Sequence, residues 1–144
     1  MIVLDTNVVF ELMRQEPNVA VVDWVDQLPL ETAFITAVTA AELRYGVARL
    51  PDGTRKKVLT TKVDELIADD FDDQVLPFDT DAASYYADIA AFRERQGHPI
   101  SMADAQIAAI SRLYDARLAT RNVKAFDDTG IPVTNPWDVP PDRP

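Results

Sequence analysis

Asp5, Glu42 and Asp104 are the residues whose types and surroundings fit a shared chemistry. Asp5 ends the first apolar run, Ile2-Val3-Leu4, and is followed by two small polar residues and a second apolar run. The other two acids recur in one local frame. Thr39-Ala-Ala-Glu42 and Ser101-Met-Ala-Asp104 each place an acid three residues after a hydroxyl, at the start of a helical pattern. The plain reading of that frame is a capping box, in which the carboxylate only supports a helix N-terminus. The chemical reading takes the three as a set. Carboxylates gathered in one place repel and shift one another's pKa unless a cation sits between them. Hard oxygen donors, in a chain with no cysteine and one histidine, suit Mg²⁺ or Mn²⁺ and not Zn²⁺.

The elements that must position these acids follow from hydrophobic spacing. Ile2–Leu4 reads as a short buried strand and Thr6–Arg14 as a helix. Val21, Trp24, Val25 and Leu28 fall at i, i+3, i+4 and i+7, an amphipathic helix closed by Pro29. Ala33–Thr36 is a second strand, and Thr39 is expected to open a helix with Leu43, Val47 and Leu50 on one side. Pro51-Asp52-Gly53 signals a turn before a charged surface helix from Thr54 to about Asp70. Val75–Phe78 is a third strand. Asp79 or Thr80 caps a helix carrying Tyr85, Ile89 and Phe92, stopped by Gly97-His98-Pro99. Ser101 starts the next helix, with Ile107, Ile110 and Tyr114 inward, and Arg117–Thr120 and Ile131–Thr134 are the last strands. Residues 1–137 are expected to form one domain, followed by a Pro-rich irregular tail at 138–144.

Short strands alternating with helices predict an α/β protein: a mainly parallel sheet with helices on both faces. In such sheets the working residues gather beyond the carboxyl ends of the strands. Asp5 falls there, and so does Asn122, just past Leu118-Ala119-Thr120.

Composition narrows the class. The 144 residues, 47% of them hydrophobic, suit a soluble globular domain able to bury a core. No apolar run approaches the roughly 18 residues that span a bilayer, and no basic, apolar leader opens the chain. The lack of cysteine is compatible with a cytoplasmic protein. Fourteen Lys and Arg against 24 Asp and Glu give a net charge of −10. Proteins that grip nucleic acid by their overall field are basic, so any such role here must rest on a local site, bound cations or a basic partner. The densest basic cluster, Arg55, Lys56, Lys57 and Lys62, reads as a solvated helix face or a phosphate-contacting patch.

Other devices fit less well. A Ser–His–Asp arrangement would need His98, which sits in a loop signal. Asp5-Thr6-Asn7 lacks the second acid of a phosphoaspartate loop, and four glycines supply no phosphate-cradling loop. Trp24, Tyr85, Tyr86 and Phe92 read as core or dimer packing, and Asp127 and Asp128 as surface loop.

Five collinear stretches carry a family resemblance: LDTNVV at 4–9, TAAELRYGVARL at 39–50, ISMADAQIAA at 100–109, LATRNVKAF at 118–126 and VTNPW at 133–137. Together they resemble a PIN domain of the VapC/FitB-like toxin type. The resemblance implies a three-layer α/β/α fold and a Mg²⁺- or Mn²⁺-dependent endoribonuclease. It also implies a small cognate antitoxin that supplies the DNA-binding half of an autorepressor, with DNA met only through it, and a homodimer. A PIN-like module that binds antitoxin or RNA without catalysis is the alternative. Asp5, Glu42 and Asp104 match the family's acidic positions, and Thr6 its small hydroxyl residue. Asn122 falls where many such domains place a fourth acid, which leaves three site carboxylates. In this reading the cation orients and deprotonates a water; two cations would stand ~4 Å apart. Thr6 and Asn122 then orient water around it, Thr120 lies beside them, and Arg121 is a phosphate contact or a surface arginine.

Overall fold

The structure is a computed structural model and describes residues 1–139. The chain runs β1 (Ile2–Leu4), α1 (Thr6–Met13), α2 (Val19–Asp26), β2 (Ala33–Thr36), α3 (Ala37–Ala48), α4 (Thr54–Glu65), β3 (Val75–Leu76), α5 (Thr80–Arg95), α6 (Met102–Leu113), β4 (Arg117–Ala119) and β5 (Val133–Thr134). All strand pairs are parallel, in the order β3-β2-β1-β4-β5. β1 is central, and the winding reverses beside it, between β1 and β4. A doubly wound sheet opens a crevice at such a reversal.

Alternation along the strands divides the core in two. Val3 and Leu118 face Ile89, Ile107 and Ile110, packing α5 and α6 on one side. Leu4 and Ala119 face Val8, Val21, Leu43 and Val63, packing α1 to α4 on the other. This is the expected three-layer α/β/α arrangement. Both faces of the central strands are therefore dry, which explains their unbroken apolar runs.

Several local expectations need correction. Helix α3 does not open at Thr39. Thr36, still extended at the end of β2, is its cap and accepts from the Thr39 amide at 3.1 Å. Glu42 therefore sits in the second turn and cannot be the acid of a capping box. α4 ends at Glu65 and continues as a wide turn, Leu66–Asp70, closed by Phe71 N donating to Leu66 O. β3 and β5 are two-residue edge strands, shorter than read because edge strands pair on one side only. Phe92 and Tyr114 lie outward, 39% and 36% exposed, while Arg93 takes the interior.

α5 stops as expected: Gly97 adopts φ 76, a left-handed conformation favoured by glycine, and donates to Glu94 O. Of the tail, residues 136–138 form a turn in which Trp137 packs against the second core; residues 140–144 of the expected tail lie outside the described residues. No described helix is long and apolar enough to cross a membrane.

Candidate active site

Asp5 follows β1 at the point where the winding reverses, and its amide donates to Ala119 O at 2.9 Å, extending the sheet by one rung. Its carboxylate is buried, 4% exposed. Thr6 N donates to Oδ1 at 2.8 Å and the Thr120 hydroxyl to Oδ2 at 2.8 Å. No lysine or arginine pairs with it among the described residues. Burial pushes its pKa from 3.8 up to about 6, against the lowering effect of the Thr120 and Thr6 bonds; the negative charges of Asp104 and Glu42 add to the rise. Asp5 thus feels the charges of both other acids.

Glu42 is half-buried on α3 and accepts from the Thr6 hydroxyl at 2.7 Å. The same hydroxyl lies 3.0 Å from the Thr39 hydroxyl, which reaches Thr36. A line of threonines therefore joins the ends of β1 and β2 and fixes Glu42 relative to Asp5. Asp104 is half-buried in the first turn of α6, where its amide donates to the capping Ser101 hydroxyl at 3.2 Å. Here the capping reading holds for the serine. Burial raises the Asp104 pKa, opposed by the Ser101 bond and the positive charge of Arg93.

Among the described residues, no three acidic or histidine side chains stand close enough to form a ready-made cation cage. The donor chemistry nevertheless fits Mg²⁺. That ion keeps several of its waters and needs only one or two carboxylates besides substrate phosphate. Asp5, buried and without a cationic partner, is the first of these.

Asn122 is exposed and joins the site through its backbone, donating from N to the Thr120 hydroxyl at 3.1 Å; its side chain bonds to none of the acids. Arg121 turns its guanidinium over the Trp137 ring, 5.0 Å from the centroid. Asn7 was not singled out by its sequence neighbourhood, yet it bridges three parts of the site. Its amide donates to Asp5 Oδ2 at 3.3 Å and Thr120 at 3.1 Å, and its carbonyl oxygen accepts from Arg121 N at 3.1 Å. Its place in LDTN was the only available signal. His98, Asp127 and Asp128 are exposed, and the basic cluster lies along the surface of α4.

The PIN domain family profile matches residues 2–131. The chain belongs to the PIN-domain family. This PIN domain is 42% identical over 137 residues to toxin FitB of Neisseria gonorrhoeae, covering 95% of this chain and 99% of that one. It is 40% identical over 138 residues to VapC ribonuclease Y4jK of Sinorhizobium fredii, covering 96% and 99%. A solved structure of FitAB bound to an IR36 DNA fragment matches the PIN domain with TM-score 0.91 and 40% identity, over 97% of this chain and 98% of that one.

Proposed function

We propose that this PIN domain is the toxin of a type II toxin–antitoxin pair and a Mg²⁺- or Mn²⁺-dependent endoribonuclease. The observation that carries the reading is the buried, unpaired Asp5 carboxylate, within electrostatic reach of Glu42 and Asp104 at the sheet reversal. A divalent cation there would offset the carboxylates, offer charge to the scissile phosphate and acidify a water.

The chain's own residues do the positioning. Thr6 N and Thr120 aim the Asp5 oxygens, so that the carboxylate is held for a ligand instead of turning into the loop. The Thr6 hydroxyl sets Glu42, and the Ser101 cap sets the helix start that carries Asp104. Asn122, open to solvent beyond β4, would hydrogen-bond water around the phosphate. Three carboxylates, with an amide at 122, favour one firmly held cation. The neutralised pocket also lets a chain of charge −10 admit a phosphodiester.

The proposed partner is a small cognate antitoxin through which the pair meets DNA. FitB is named as a toxin and its solved complex FitAB holds DNA. A groove of about 660 Å³ between α1, α2 and the end of α4, lined by Leu12, Val25, Leu30 and Phe71 together with charged side chains such as Lys62 and Asp69, offers that partner a partly apolar seat. None of the three acids lines it. The proposed setting is the cytoplasm, as a homodimer, with residues 1–137 as the working domain.

A binding module without catalysis is favoured by one observation, that the acids are not gathered into a cage. Mn²⁺ binding separates the two readings. Millimolar Mn²⁺ is expected to raise the melting temperature of the full chain by several degrees, a shift abolished by Asp5→Asn. An equal shift in both proteins would favour the binding module.

A further inference from the structure

Two large aromatic side chains stand in solvent on α1 and α3, the helices that carry Thr6 and Glu42. Tyr45 is 65% exposed and Phe10 is 42% exposed. Both follow from the contact that builds the site. Helices α1 and α3 meet in two rungs. In the first, Thr6 donates to Glu42 at 2.7 Å. In the second, one turn farther along each helix, the Phe10 ring lies on Gly46, where an added Cβ would come within 3.2 Å of the ring. Gly46 leaves room for that ring. Glu42, Tyr45 and Gly46 share one face of α3 by helical spacing, and Arg49, the residue capping its C-terminus, continues it, so the aromatic strip begins one turn from a site carboxylate.

Arg49 completes the strip. Its guanidinium lies 5.5 Å from the Tyr45 ring centroid and forms no ion pair among the described residues, whereas Arg44 on the same helix is bound to Asp64 at 2.7 Å. Exposed rings beside a guanidinium that has no carboxylate partner among the described residues match unpaired bases and their phosphates.

We infer that Phe10, Tyr45 and Arg49 form a stacking platform that holds single-stranded RNA beside the acids, the rings taking bases and Arg49 a phosphate. The inference rests on the ribonuclease reading and deepens it. It also gives an acidic chain a way to hold a polyanion locally, by base stacking and the Arg49 cation.

The test uses the full chain and a labelled single-stranded RNA of mixed sequence. Binding is read by anisotropy in an Asp5→Asn background, and cleavage by the otherwise unaltered protein in Mn²⁺. Tyr45→Ala and Phe10→Ala are each expected to weaken binding about tenfold, with Tyr45→Trp restoring it. Arg49→Gln should lower the slope of log affinity against log salt by about one. In cleavage, Tyr45→Ala should raise KM and leave kcat within about twofold, while Val19→Ala, which removes an exposed apolar side chain elsewhere, changes neither. If the parent cleaves and the three variants match it in KM and affinity, the platform is overturned and the ribonuclease reading survives. If the variants instead lose only dimerisation by sedimentation, the face is a contact between copies and the platform is again overturned. If the parent neither binds nor cleaves RNA, both fall together.

Discussion

The Thr120 hydroxyl donates to Asp5 Oδ2 at 2.8 Å, joining residues 115 positions apart at the ends of neighbouring strands. The bond lowers the Asp5 pKa against the burial that raises it. Thr120→Val should therefore move that pKa above about 6. A ligand role needs the deprotonated carboxylate, so activity is retained above the pKa and lost as pH falls through it. At subsaturating Mn²⁺, the acid limb of kcat/KM should move to higher pH in Thr120→Val, with about tenfold loss near neutrality. Thr120→Ser should keep the parent profile.

Asp5 also makes the cation-free protein less stable. Its folded pKa of about 6 exceeds the ordinary 3.8, so between those values the folded state binds more protons than the unfolded one. Stability then falls as pH rises through that window. The cost, about 3 kcal/mol, is fully present above pH 6 and absent below 3.8. Asp5→Asn is expected to stabilise the cation-free chain by about 2 kcal/mol near pH 7.5, with the gain vanishing near pH 4. Urea unfolding at both pH values measures this; an equal gain at both would remove the buried charge as its cause.

Arg93 is the buried cation of α5. Its Nε donates to His98 O at 2.6 Å, and its Nη1 to Ala125 O at 2.8 Å and Asp127 O at 2.9 Å. It thereby ties the loop before α6 to the loop after β4. Arg93→Met leaves three carbonyls without their donor, and Arg93→Lys lacks the planar fork needed to reach them all. Each should destabilise the fold by about 3 kcal/mol, lowering the melting temperature by about 10 °C. Calorimetry is the check.

Leu30 lines the groove between α1, α2 and the end of α4 and is 86% exposed. Leu30→Asp should leave the fold and RNA cleavage unchanged while weakening antitoxin binding at least about tenfold. Titration calorimetry with the purified partner reads the change. Unaltered affinity would place the antitoxin elsewhere.

Much of this was legible in the sequence because strand and helix patterns carry their own period. The β1-Asp5 junction, the Ser101 cap and the alternation that makes the sheet parallel all lie in short stretches of chain. Glu42 was found for a reason that proved incomplete: Thr36, not Thr39, caps α3, because the strand end supplies the extended residue a cap requires. Asn7, Arg93 and Glu11 were not found. Glu11 is buried in α1, where the Asn18 backbone N–H, with Arg14 also bonded, holds its carboxyl below its ordinary pKa. Arg93 displaced Phe92 from the interior in a similar way. Their roles depend on loops distant in sequence, and no local spacing encodes which loop will stand opposite.

The measurement that bears most directly on the central claim is RNA cleavage by the antitoxin-free chain. It is run with Mn²⁺, with Mn²⁺ plus excess EDTA, and with Asp5→Asn in Mn²⁺. The site described here predicts cleavage in the first condition and at least about 100-fold less in the other two. Equal cleavage in all three would contradict it.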